Sequence, residues 1–167
     1  QQTQDTGYTG IAIKTKNPRA YFLDRTLTDN EPIGAIGEFA SSFGGVSSAQ
    51  GKRSLAEGTN TVAKGKYSHV EGDNSVALGN DSHAEGYATV SKGKASHAEG
   101  TGTSASGEAS HSEGNGTRAN GESSHSEGNG TTASGEASHS EGTGTIANGK
   151  NAHAEGTETQ AIGNMSH

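Results

Sequence analysis

Ser96-His97-Ala98-Glu99-Gly100 decides how this chain is read, because relatives of it begin at Ser54, Ser68, Ser82, Ser110, Ser124, Ser138, Ala152 and Ser166, always in fourteen-residue steps. Between successive copies lies a looser unit, such as Thr103-Ser104-Ala105-Ser106-Gly107, with the same spacing of small residues and the same final glycine. The period is therefore seven residues, doubled to fourteen. From Gly37 to Gly163 every seventh position is glycine, which accounts for nineteen of the chain's 27. All eight histidines take the second position of a unit: His69, His83, His97, His111, His125, His139, His153 and His167. Glutamate stands at the fourth, as Glu57, Glu71, Glu85, Glu99, Glu113, Glu127, Glu141 and Glu155. Fixed periodicity of this kind is the signature of a solenoid.

Each unit reads as a short strand closed by a turn. Positions one and three, Ser or Thr and then Ala or Ser, point to one side, and positions two and four to the other. The side restricted to small residues is the inside of a very narrow coil with two strands and fourteen residues per turn. The turn glycines Gly58, Gly65, Gly72, Gly79, Gly86, Gly93, Gly100, Gly107, Gly114, Gly121, Gly128, Gly135, Gly142, Gly149, Gly156 and Gly163 fit corners that need positive φ. The fold class is all-β, a parallel β-roll that stacks into a rod on the order of 45 Å long at about 4.8 Å per coil.

Composition alone gives a different picture. A chain with 26% apolar and 4% aromatic residues falls below what a conventional core needs and looks disordered. The repeat overrules that reading, since a disordered linker has no reason to keep the glycine column. Burying only Ala and Thr methyl groups stabilises a coil weakly, so further stabilisation must come from another surface, and we expect an obligate oligomer. The net charge of -7, with Lys and Arg scattered, argues against nucleic acid or an anionic membrane as partner. With no cysteine, neither a disulfide framework nor a zinc-thiolate site is available.

Residues 1–32 differ from the rest. They hold both prolines, Pro18 and Pro32, with a strand-like alternation from Gly10 to Lys14, an apolar cluster at Tyr21-Phe22-Leu23 and a turn at Asp29-Asn30-Glu31-Pro32. We assign 1–32 as a cap or joining segment and 33–167 as the repeat region, whose first units are the most apolar, with Ile33, Ile36, Phe43 and Leu55 sealing the end of the stack. The last unit stops at His167 without its Ala-Glu-Gly, as expected of a piece of a longer protein.

Asn74-Ser75-Val76-Ala77-Leu78-Gly79 is similar to the head repeat of YadA-like trimeric autotransporter adhesins, and the Ser-His-Ala-Glu-Gly form resembles repeats of bacteriophage tail fibre and neck appendage proteins. The resemblance covers residues 33–167 and implies a left-handed parallel β-roll assembled as a homotrimer from two further identical chains. For function it implies the structural shaft or head of a phage tail fibre or appendage, attached to other virion tail proteins and engaged in host attachment through an unknown host surface receptor. The alternative is a bacterial surface adhesin head that binds host matrix from the cell surface. In the adhesins the outward positions are Val and Ile that face neighbouring subunits, whereas here most are His and Glu.

Stacked coils place a column of His beside a column of Glu, and glutamates about 4.8 Å apart repel by roughly 3 kcal/mol per pair at an effective dielectric near 20. We place this ladder at the trimer interface: His69, Glu71, His83, Glu85, His97, Glu99, His111, Glu113, His125, Glu127, His139, Glu141, His153 and Glu155. Hydrogen bonds from imidazole to carboxylate would hold it, and the carboxylates should raise the histidine pKa values. A merely solvated face, or three symmetry-related histidines around an axial metal ion, are the competing readings; the adopted one assigns no metal and no cofactor. Ser, His and Glu also suggest a hydrolase triad, but Ser96 points to the face opposite His97 and Glu99, so no catalytic residue is assigned. Thr101-Gly102-Thr103 resembles the threonine arrays of ice-binding solenoids, yet its second Thr points inward.

Overall fold

The computed structural model describes residues 21–23 and 34–167, all β-structure and turns. Two ten-stranded sheets, each wholly parallel, face one another across the narrow interior. One holds the histidine strands and the other the strands that alternate with them. Pairing is in register: His97 lies beside His83 and His111, and Glu99 beside Glu85 and Glu113. Each coil is thus a fourteen-residue turn of a β-solenoid. Middle coils have five-residue histidine strands, such as His97–Thr101, against two-residue partners, such as Ser104–Ala105.

The inward positions are the small ones. Ala84, Ala98, Ala105, Ala119 and Ala133 are fully buried, with Thr89, Thr117 and Thr131; Val70 is the largest side chain admitted. Most buried hydroxyls are satisfied locally, Thr61, Ser91 and Thr103 being exceptions. The serine that opens each histidine unit donates to the carbonyl three residues back, as Ser96 Oγ does to Gly93 at 2.8 Å and Ser110 Oγ to Gly107 at 2.7 Å. Ser96 is therefore a structural serine, facing away from His97 and Glu99.

Where the third position is also serine, its hydroxyl meets the threonine of the next strand, as in Ser112 with Thr117 and Ser126 with Thr131, both at 2.8 Å. Where it is alanine, as at Ala98, the Thr103 hydroxyl is buried without a partner. Ala98→Ser should supply one and raise stability by about 1 kcal/mol, seen as a higher midpoint in a thermal melt.

The turn glycines divide into two classes, which corrects the expectation of positive φ throughout. Those that end histidine strands do have it, as in Gly100 at φ 101. Those that end the partner strands, such as Gly107, do not. Both classes are glycine because a Cβ would fall on the coil above, on the carbonyl oxygen of Gly114 or of Gly121 respectively. The left-handed conformation recurs instead two residues beyond each glycine, at Ala95 (φ 54), Gly102 (φ 64) and Ala109 (φ 53). It turns the amide toward the preceding coil, so that Ala109 N–H donates to Lys94 O and Gly102 N–H to Tyr87 O, each at 2.8 Å.

Upstream, Tyr21–Leu23 pairs in parallel with Ser41–Phe43, so the histidine-side sheet continues into the segment assigned as a cap. The expected strand at Gly10–Lys14, the turn at Asp29–Pro32 and the sealing role of Ile33 lie outside the described residues. The two glycine environments predict opposite outcomes for one substitution. Gly107→Ala must push neighbouring coils apart and should cost more than about 4 kcal/mol or abolish folding. Gly102→Ala, whose Cβ would meet nothing within 4 Å but would sit in the left-handed region at φ 64, should cost only about 1–2 kcal/mol. Thermal melts of the two variants decide it.

Candidate functional site

The in-register pairing of the histidine strands builds one continuous feature. Seven imidazoles, from His69 to His153, stack face to face with centroids 4.6 to 4.9 Å apart and planes within 7° of parallel. His167 ends the stack edge-on, at 86° to His153. Beside them run the carboxylates. Each imidazole Nε2 addresses the glutamate of the preceding coil: His69 to Glu57 at 3.2 Å, His97 to Glu85 at 3.5 Å, His125 to Glu113 at 3.1 Å and His153 to Glu141 at 3.8 Å. Both columns lie on the outer face, with side chains about one-third exposed in the single chain. The ladder residues are thus brought together along one strip, and the partner is offset by one coil. That offset is not visible in the sequence, where His97 and Glu99 stand two apart.

Only two of these contacts are hydrogen bonds, His69 to Glu57 and His125 to Glu113. The Nε2 atoms of His83, His97, His111, His139 and His153 are shielded from solvent and have no hydrogen-bond partner. The electrostatics follow the same geometry. Burial, then the imidazoles of His69 and His97, hold His83 below its ordinary value of 6.5, against the opposing pull of Glu85 and Glu71. Burial and two flanking imidazoles do the same at His111 and His139. The expected upward shift is therefore reversed at these three, because loss of hydration and like charges on both sides outweigh the carboxylates.

Along the column the carboxylates shift one another in opposite directions. Hydrogen bonding with Glu141 and Glu113, then burial, raises Glu127 from its ordinary value. At Glu113 burial works upward, but hydrogen bonds from Glu127, Glu99 and His125 outweigh it and lower the group. Glu141 is lowered first by its hydrogen bond with Glu127.

The opposite sheet is chemically different. Val62, Val76 and Val90 are half-buried on its outer face, followed by Ser104, an exposed Arg118, Thr132, Ile146 and an exposed Gln160. Exposed Leu78 and Ile36 enlarge the apolar area toward the N-terminal end. At the turns, Arg53 lies between the rings of Phe39 and Tyr67, at 5.6 and 5.8 Å from their centroids, a contact with no periodic signal in the sequence. Thr103 is buried, as is Thr145 of the second copy Thr143-Gly144-Thr145, which removes the second threonine of both from any outer array.

Depressed imidazoles fix the sign of the pH dependence. A group held below its unfolded value of 6.5 adds stability above that pH, and the contribution is lost as pH falls through the folded value, because the unfolded chain then takes up the proton more readily. In chelator-containing buffer the melting temperature should hold between about pH 9 and pH 7 and fall between about pH 6.5 and pH 5. A melting temperature that climbs on acidification would contradict the assignment.

A family model, the YadA head domain repeat in two copies, matches residues 35–61, 56–82, 71–90, 126–152 and 140–166. The matches leave 91–125 uncovered, a stretch that pairs in the same register as its neighbours. No curated protein matches the chain.

Proposed function

This chain belongs to the YadA head domain repeat family, and from that membership we propose that it is one third of a homotrimeric attachment rod, the shaft or head of a bacteriophage tail fibre or appendage. Heads of this family are adhesin-like solenoids, homotrimeric in general and exposed outside the cell, and their role is structural. The observation that carries the shaft reading is the in-register stack: among the described residues coil after coil from 34 to 167 repeats one backbone in two continuous parallel sheets. The Ser-His-Ala-Glu-Gly form of the repeat, which resembles phage appendage proteins, supports the placement on a virion. Its partners are then two identical chains, other virion tail proteins and a host surface receptor met at exposed turns or outside this segment.

The trimer contact in this reading is the histidine-side sheet. Its outer residues are uniform from coil to coil, whereas the equivalent positions opposite range from valine to arginine. A surface that must meet a symmetry-related copy along its whole length is the one that tolerates least variation. Five shielded Nε2 atoms without partners also mark this face as one that gains from a neighbour.

A second reading, a bacterial surface adhesin head, is favoured by Asn74–Gly79, whose outward Val76 and Leu78 are apolar as in the adhesin heads, Leu78 being 39% exposed. Antibody raised against residues 34–167 should label fibres projecting from virus particles in native source material viewed by electron microscopy. Label on bacterial envelopes would replace the virion with the adhesin. Sedimentation should give a particle of three chains. Glu99→Arg should dissociate it, and Ser104→Arg, in the column that already holds Arg118, should leave it intact.

A further inference from the structure

We propose that the His–Glu strip binds divalent transition-metal ions of the zinc class, each held by one imidazole and the two carboxylates that flank it along the rod. Three separate observations lead here. The first is donor geometry. In the triads Glu57-His69-Glu71, Glu71-His83-Glu85 and Glu85-His97-Glu99, one ligand atom from each residue lies within 4.8 Å of the others. Two donors bound at about 2.0–2.2 Å to a tetrahedral ion stand roughly 3.3–3.6 Å apart. The Nε2 to carboxylate distances at His97 (3.5 Å), His111 (3.4 Å) and His139 (3.7 Å) fall at or close to that range. They are too long for good hydrogen bonds, which centre near 2.9 Å.

The second observation is the set of orphaned atoms. Nε2 of His83, His97, His111, His139 and His153 is shielded yet makes no hydrogen bond. A shielded imidazole nitrogen and a carboxylate held just beyond hydrogen-bond distance of each other are spaced as two ligands of one ion. Water could bridge one such gap, but it brings no charge.

Charge is the third. Eight carboxylates stand in one column from Glu57 to Glu155 with no Lys or Arg in that column or in the histidine column beside it. A divalent cation balances two carboxylates, so the column of eight calls for about four ions per chain. Neighbouring triads share a glutamate, so four ions fall in alternate coils, at His69, His97, His125 and His153, about 9.6 Å apart at two strand spacings; at His97 and His153 no hydrogen bond competes with the ion, and at His69 and His125 the ion replaces one. Imidazole with carboxylate selects zinc, nickel or copper over calcium and magnesium, which prefer all-oxygen shells. Every donor comes from one chain, so the inference stands whether or not this sheet meets another copy.

The test uses the full chain without a polyhistidine tag, stripped with chelator, loaded with zinc chloride near neutral pH and desalted. Elemental analysis should find about four zinc ions per chain, with a higher melting temperature than the stripped protein. Cobalt(II) in place of zinc should give visible absorption bands of nitrogen and oxygen ligation. Glu85→Gln with Glu99→Gln keeps the side-chain shape, removes two donors and should lower the zinc content by about one ion. His97→Gln is read in the same way if the glutamine pair fails to fold. Retention of less than one ion per chain, or a content that none of these substitutions lowers, overturns the proposal. A sheet that binds zinc as a monomer would leave the metal inference standing and sink the trimer assignment instead.

Discussion

Contact between the backbones of successive coils is the constraint from which everything else in this rod follows. At Gly107 and Gly100 alike, the space a Cβ would need is taken by a carbonyl oxygen one coil away. Glycine at that corner lets the coils approach to strand-pairing distance, and strand pairing at that distance is what orders a chain with so few apolar residues. The interior obeys the same limit. Two sheets this close admit Ala, Ser, Thr and one Val, so burial contributes little per coil, and the ladders of backbone hydrogen bonds, with Ser-to-carbonyl bonds such as Ser96 to Gly93, supply the rest.

Exact repetition then forces like onto like. A parallel in-register stack puts each outward side chain against its own copy at the strand spacing, so a single choice of residue is multiplied along the rod. For imidazole the result is favourable stacking at 4.6 to 4.9 Å in the neutral form and repulsion in the charged one. The depressed pKa of His83, His111 and His139 is the direct consequence: burial first, then the two neighbours that repetition guarantees. For glutamate the same rule yields a column of carboxyls at the strand spacing, whose mutual repulsion is eased by water and salt on the exposed face and by any cation taken up there.

The period of seven makes the coil, its two strands, the inward Ser, Thr and Ala, and the outward His and Glu legible before any coordinates, because alternation in a strand is a local rule. Three things are not legible. The left-handed residues Arg53, Tyr67 and Ala88 carry no turn propensity; their conformation is set by an amide that must reach the coil below. The pairing of His97 with Glu85 rather than with Glu99 depends on the lean of side chains along the stack axis, which spacing does not encode. The direction of the histidine shifts runs against the sequence-based expectation because the carboxylates are conspicuous in the sequence, whereas desolvation inside a ring stack is a property of three dimensions.

The turns show that the glutamate column is not an unavoidable by-product of repetition. In the column after the partner-strand glycines, Lys52 pairs with Glu38 at 3.1 Å, Lys94 with Glu108 at 3.3 Å and Lys150 with Glu136 at 2.8 Å. That column mixes both signs of charge along the rod axis, although Glu108, Glu122 and Glu136 follow one another in it and exposed pairs of this kind add only a fraction of a kcal/mol each. The same solution was open to the column from Glu57 to Glu155, where repulsion is stronger and a single lysine would relieve it, yet all eight positions remain acidic. A column that keeps its charge where relief is so easily reached is held by something those carboxylates do together, and their only shared neighbours are the imidazoles beside them and whatever approaches that face.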